Sequence, residues 1–496
     1  MVGIRWRGQE SGRKAAGLSF HIDEASPPAM TEQTPRLPTG TVEALLTPSP
    51  EVMATTTLAD ASATAAITSE APPLATDTVE ASPTPPAEVT ATTTLANESP
   101  TAAITGEPSP VTGDGDSTVE WTNTLRLTAL ATADFPDARS IDMAVTDSGT
   151  VYVSLGMDER IFVSRSNDSG RTFSQPVSTS QDQPALVLAL ERPAISATDD
   201  GQVYVAWSSP DRLSSIWFAH STDGGKSFGP SIRLSGSAQM ETILPRMALD
   251  PAGQPAVAWL QSSTLRLARS DDGGQSFSAS DVIDDKTCDC CHPQPLIAGK
   301  HVFIAYRNLE EEGGQQIRNI FFTASADDGA TFAPEVRVSD SHWYLSACPI
   351  SGPTLAFDGT AIYASWMDGR HDSQGNFSHT DIWLATSTDM GQTFSANRRV
   401  NPKVGVYNNL PSLAIDGAGQ LHIIWEAREA AQEVIYYARS ADGGHSFGTP
   451  SILVSSQDGS GRKRPGNASL VLGPEGTVYI TWVDTLGAHA GAWSVE

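Results

Sequence analysis

The octapeptide Ser221-Thr222-Asp223-Gly224-Gly225-Lys226-Ser227-Phe228 is written six times, the other copies opening at Ser166, Ser270, Ser325, Ser387 and Ser440. Each copy reads Ser-x-Asp-x-Gly-x-Thr/Ser-Phe, with its aspartate at 168, 223, 272, 327, 389 or 442, so neighbours stand 49 to 62 residues apart. A near-constant period of this size predicts a propeller or solenoid. The octapeptide itself has the chemistry of a turn. The Asp carboxylate can accept backbone N–H groups, the Gly supplies a positive φ, and the Phe can anchor the loop from beneath.

The frame around each copy is constant as well. An alternating run such as Ile216 to His220 precedes the turn and a short run such as Ile232 to Leu234 follows it, so the turn joins two antiparallel strands. Each repeat holds four strands, A to D from the axis outward. In the second they are Ala194 to Ala197, Val203 to Trp207, Ile216 to His220 and Ile232 to Leu234. The A–B pairs begin near Ile141, Ala194, Met247, Leu296, Thr354, Leu413 and Leu470, seven pairs against six octapeptides. The last repeat stops after a third strand, Ala492 to Val495, and the missing outer strand has a candidate in Thr124 to Ala129. We therefore expect an all-β propeller whose seventh blade is closed by both chain termini, which leaves no open sheet edge. Seven blades are favoured; a six-bladed ring with an extra hairpin is the competing reading.

The octapeptide resembles the Asp box, or BNR repeat, of bacterial sialidases and related propellers. That resemblance implies the propeller fold. It implies either an exo-alpha-sialidase acting on a glycan or a non-catalytic binding or scaffold propeller, because the same box occurs in both. Sialidases proper have six blades, so a seventh is a departure.

Strand parity places the functional face. A–B and C–D turns share one end of the strands, and B–C and D–A loops share the other. The octapeptides are C–D turns, so the longer loops gather opposite them, and loops on a rigid scaffold carry function. Arginines collect there: Arg192 and Arg246 from D–A loops, Arg307, Arg318 and Arg370 from B–C loops. Guanidinium forks match a carboxylate, and sialidases hold their substrate carboxylate with three arginines. Arg192-Pro193 is loosely similar to the family's Arg-Ile-Pro signature. Blade-to-blade ion pairs are the competing reading for each arginine. The resemblance further implies a Tyr nucleophile activated by a Glu, with an Asp as acid or base. Tyr344 and Tyr407 in D–A loops, with Asp368 and Glu426 after strand B, are the candidates, though nothing in the sequence pairs them.

Thr287-Cys288-Asp289-Cys290-Cys291-His292-Pro293 is the D–A loop into blade four, and Trp343-Tyr344 with Cys348-Pro349 lies in the loop into blade five. A group of bacterial sialidase-like proteins is similar in its Cys-x-Cys-Cys, Tyr-Arg, Trp and Cys-Pro elements. Here the equivalents are Cys288 to Cys291, Tyr306-Arg307, Arg318, Trp343 and Cys348-Pro349; the similarity implies no chemistry. Two readings of the cysteines stay open. One is a disulfide from Cys348 to one of the other three. The other is a thiolate metal site with His292, in a spacing unlike standard zinc patterns. No cofactor is otherwise required.

A net charge of −27 argues against nucleic acid as partner; the expected partner is a glycan or other small anionic ligand recognised by the loop-rich face and its arginines. No apolar run of 18 residues exists, so no membrane-spanning helix is expected. Residues 1–117 are rich in Thr, Ala, Pro, Ser and Glu, and Glu51 to Ala59 returns nearly intact as Glu88 to Ala96. Such composition predicts a disordered stalk before a propeller at residues 118–496. Stalks of this kind place the chain outside the cell or at its surface, although no signal peptide is visible.

Overall fold

The computed structural model describes residues 127–495 apart from short stretches at 181, 211–213, 237–240, 342, 346, 371–378, 403–406 and 430–431, together with the backbone of Glu120–Thr124. The stalk expected at residues 1–117 lies outside the described residues.

Seven four-stranded sheets form the domain. Their innermost strands, the A strands, are Ser140–Val145, Ala194–Ala197, Thr242–Leu249, Gln294–Ala298, Thr354–Phe357, Tyr407–Ile415 and Gly466–Leu472. Each packs against the next, and the last packs against the first, which closes a ring around an axis. The buried apolar residues fall into seven clusters, one at every blade-to-blade interface. Strand B is apolar on both faces because blades cover it from both sides; Val203–Ser208 and Pro255–Gln261 are buried throughout. The recurrent tryptophans Trp207, Trp259, Trp366, Trp425 and Trp482 all lie in this layer, none more than 3% exposed.

Blade seven is closed as expected, with longer strands than the sequence suggested. Leu127–Phe135, rather than Thr124 to Ala129, is its outer strand and pairs antiparallel with Gly487–Val495 along nearly its whole length. The competing six-bladed ring is thereby excluded. Among the described residues no helix is long and apolar enough to cross a membrane.

The six octapeptide turns share one hydrogen-bond plan. In the second, Asp223 Oδ1 accepts the backbone N–H of Ser227 at 2.9 Å and Oδ2 accepts its hydroxyl at 2.6 Å. Ser221 Oγ accepts the Gly225 N–H at 3.0 Å. These bonds hold the Asp223 carboxyl down at about 2, the Ser227 and Ser221 hydroxyls first among them. Glycine is required at the fifth position on two counts: Gly391 has φ +86°, and a Cβ there would enter the ring of Phe322 in the preceding blade.

Parity also holds. In blade four the turn residue Asp328 meets Lys300 just before strand B, at 2.9 Å, while Cys288 meets Arg307 at the strand's other end, at 2.8 Å. The cysteines and arginines thus stand opposite the octapeptides.

Candidate anion site at the axial mouth

The A strands begin at the loop-rich end, so the residues at their starts ring the mouth of the axis. Three of these strands are bulged there: register slips between Ile243 and Arg246, between Asn409 and Ser412, and between Gly466 and Ser469. Leu244, Leu410 and Asn467 sit in the bulges at φ 59°, 44° and 56°. A left-handed leucine followed by proline is a strained choice, costing about 1–3 kcal/mol. Bulges turn a strand locally and re-aim its side chains. Here they bring charged groups to the axis.

Arg246 is 7% exposed. Its Nη1 donates to the Pro245 carbonyl at 2.8 Å, and its Nη2 is buried with no partner. Burial and the neighbouring Arg192 lower it to about 9, while Asp142 and Glu191 oppose that shift. Arg192 reaches past blade one to donate to the Ala468 carbonyl of blade seven at 3.4 Å. Among the described residues, neither guanidinium has a carboxylate within ion-pair distance.

Besides Asp142, two carboxyls attend this pair at longer range. Glu191 Oε2 accepts the Leu244 N–H at 3.2 Å and the Ser208 hydroxyl at 3.3 Å, and burial raises it to about 7 against the pull of Arg246. Glu426 Oε1 accepts the Ala468 N–H at 3.0 Å, and burial raises it to about 7 against that bond and the field of Arg192. His292 is kept neutral, well below its usual range, by burial and then by Arg246 and Arg192. The mouth therefore presents two guanidinium groups with the Asp142 carboxylate at longer range and with Glu191, Glu426 and His292 uncharged or half-charged near neutrality.

The other nominated residues lie elsewhere. Arg307 is fully buried and donates to three carbonyls, Ser351 at 3.1 Å, Arg318 at 2.7 Å and Met367 at 2.7 Å, beneath Trp343. Arg318 donates to the Leu345 carbonyl at 3.2 Å, the Gln316 side chain at 3.1 Å and Cys288 Sγ at 2.8 Å. Arg370 pairs with Asp340 at 2.8 Å and lies flat on Trp383. These three arginines tie blades together instead of lining the mouth, as the ion-pair reading had it for Arg370. Trp343, 2% exposed, is packing and no stacking platform.

Of the four catalytic candidates only Glu426 stands beside the mouth arginines. Tyr344 contacts Glu312 at 3.4 Å on the Glu310–Ile317 hairpin of blade four. Tyr407 is exposed at a strand end, opposite Arg428. Asp368 is buried against Ser341, its carboxyl raised by burial. The expected Tyr–Glu–Asp set is only partly brought together: Tyr407 and Glu426 are diagonal neighbours on the paired strands of blade six, whereas Tyr344 meets the blade-four hairpin and Asp368 is buried against Ser341.

Cys290 and Cys348 form a disulfide between the D–A loops of blades four and five, leaving Cys288 and Cys291 as buried thiols. The hydrogen bond shared with Cys291, then Arg318 and Arg307, lowers Cys288 to about 6 despite its burial; burial pushes Cys291 up. Away from the mouth, a cleft of about 550 Å³ opens between blades three and four beside Asp284, Tyr306 and Glu335. Glu191 carries no motif of its own in the sequence, although it adjoins Arg192, and His292, expected as a metal ligand beside the cysteines, stands in the field of the mouth arginines instead.

No family profile and no curated protein matches the chain. Similar solved structures include an ulvan lyase, a polysaccharide lyase (10% identity, 76% of this chain, 95% of that one, TM-score 0.47). Others are the BP39L lectin from Burkholderia pseudomallei (11%, 72%, 99%, 0.48) and the NanB sialidase from Streptococcus pneumoniae (11%, 75%, 70%, 0.37). Identity this low does not carry chemistry from one chain to another.

Proposed function

We propose that the chain is an exported, sialidase-like propeller that binds the carboxylate or sulfate of an acidic glycan at its axial mouth. One observation carries the reading: Arg246 is a nine-tenths buried guanidinium with an unpartnered Nη2, beside a second arginine that also lacks an ion-pair partner among the described residues. A buried cation whose carboxylates stand beyond ion-pair distance is costly, and a ligand anion in direct contact relieves that cost. The octapeptide resemblance supports a glycan as the carrier of the anion.

The test is titration calorimetry of the full chain with sulfated or uronic-acid oligosaccharides and sialosides against their neutral counterparts. Acidic glycans bind, neutral ones do not, and Arg192→Gln with Arg246→Gln lowers affinity at least about tenfold without lowering the melting temperature. Affinity falls as pH rises through about 7, because Glu191 and Glu426 then ionise and compete for the same arginines. Acidic-glycan binding indifferent to both substitutions sinks the proposal.

A second reading, an exo-glycosidase, is favoured by one feature: two carboxyls held near neutrality are suited to donate a proton. Turnover of a fluorogenic sialoside that disappears in Glu426→Gln supports it; no turnover across about pH 4–8 leaves the binding function alone.

A further inference from the structure

The cysteine cluster suits a second chemistry, independent of the axial mouth. We propose that after reduction of the Cys290–Cys348 bond, Cys288, Cys290, Cys291 and Cys348 form a four-sulfur site for a thiophilic d10 cation, zinc(II) or copper(I).

The sulfur spacing is the first support. Cys288 Sγ lies 3.5 Å from Cys290 Sγ and 3.3 Å from Cys291 Sγ, and Cys290 and Cys291 are 4.0 Å apart. A tetrahedral site with metal–sulfur bonds of about 2.3 Å has sulfur–sulfur edges of about 3.8 Å. Three edges are thus in place before any ion arrives, and the fourth sulfur is bonded to one of them. The loop is also held from outside. Thr287 N–H donates to the Ser263 carbonyl at 2.9 Å and Cys288 N–H to the Arg307 carbonyl at 2.8 Å, so little ordering is left for binding to achieve.

Charge is the second support. Four thiolates around a divalent ion leave an anionic centre, which a protein interior tolerates only beside cations. Arg318 donates to Cys288 Sγ at 2.8 Å, and Arg307 lies fully buried beside the same loop. Among the described residues neither arginine has a carboxylate at ion-pair distance. Outer hydrogen bonds of this kind orient and stabilise metal thiolates. Access is from the half-buried Cys290 and Cys348, since Cys288 and Cys291 are fully buried.

The redox step balances. A dithiol reductant gives two electrons to the Cys290–Cys348 bond, becomes a disulfide and leaves two cysteine thiols; metal uptake then releases the thiol protons to water. Disulfide and metal are alternative states of one site.

The experiment uses the full chain, reduced under argon with a dithiol, the dithiol removed, then given cobalt(II), zinc(II) or copper(I). The expected result is metal bound with all four cysteines shielded from alkylation and a tetrahedral-thiolate cobalt spectrum. A zinc–copper competition then reads which ion the site prefers. Arg318→Gln and Cys348→Ser each weaken binding at least about tenfold. A reduced chain that keeps its unfolding transition but takes up none of the three ions overturns the proposal, as does uptake that leaves all four cysteines open to alkylation. If reduction alone unfolds the chain, metal added beforehand must preserve the transition, and failure to do so overturns it equally.

Discussion

Arg307 offers the sharpest test of how this ring is held together. Its guanidinium donates to the carbonyls of Ser351, Arg318 and Met367, which belong to three separate segments of blades four and five. Arg307→Met keeps much of the stem's packing against Trp343 but removes every donor. A hydrogen bond from a charged donor contributes about 1.5–3 kcal/mol, so three sum to at least about 4.5 kcal/mol. Part of that is offset, because the variant no longer buries a charge, and the net loss is about 3–5 kcal/mol. In a domain of this size that lowers the melting temperature by about 4–6 °C. Urea and thermal unfolding of the full chain, followed by tryptophan fluorescence, would measure it. Arg307→Lys is the control: it keeps the charge but reaches fewer carbonyls, and falls between the two. A variant that melts with the parent yet loses ligand binding would refute the reasoning, since that is how a surface binding residue behaves.

Two further outcomes follow from the same physics. Hydrogen bonds hold the carboxyls of Asp168, Asp223, Asp272, Asp327 and Asp389 down at about 2, below the ordinary 3.8. A depressed carboxyl stabilises the fold above its unfolded value and loses that contribution as pH falls. Melting temperature therefore drops between about pH 4 and 2, and a flat profile there would remove the turns from the stability of the ring. Removal of Leu127–Phe135 exposes the edge of Gly487–Val495, so a chain beginning at residue 136 aggregates on purification while one beginning at 118 stays monodisperse. Equal behaviour of the two in size-exclusion chromatography would show that blade seven does not need its outer strand.

The ring of blades was legible in the residues alone because its signals are local. An Asp, a Gly and a hydroxyl within eight residues specify a turn, and apolar alternation on either side specifies the strands it joins. Even the borrowed strand of blade seven could be inferred, since a missing fourth strand leaves an edge that must be covered. Parity then put the cysteines and arginines opposite the turns. None of this depends on knowing which blade touches which residue.

The site was a different matter. Arg246 and Arg307 read alike in sequence, yet one ends at the axis with an unpartnered nitrogen and the other is fully enclosed by three carbonyls. Tyr344 and Tyr407 share a loop class but not a location, and Glu191 attracted no notice. What separates them is bulge geometry at Leu244, Leu410 and Asn467 and the depth of each side chain between blades. Both are properties of the closed ring, set by contacts between residues far apart in the chain, and so only the tertiary structure decides them.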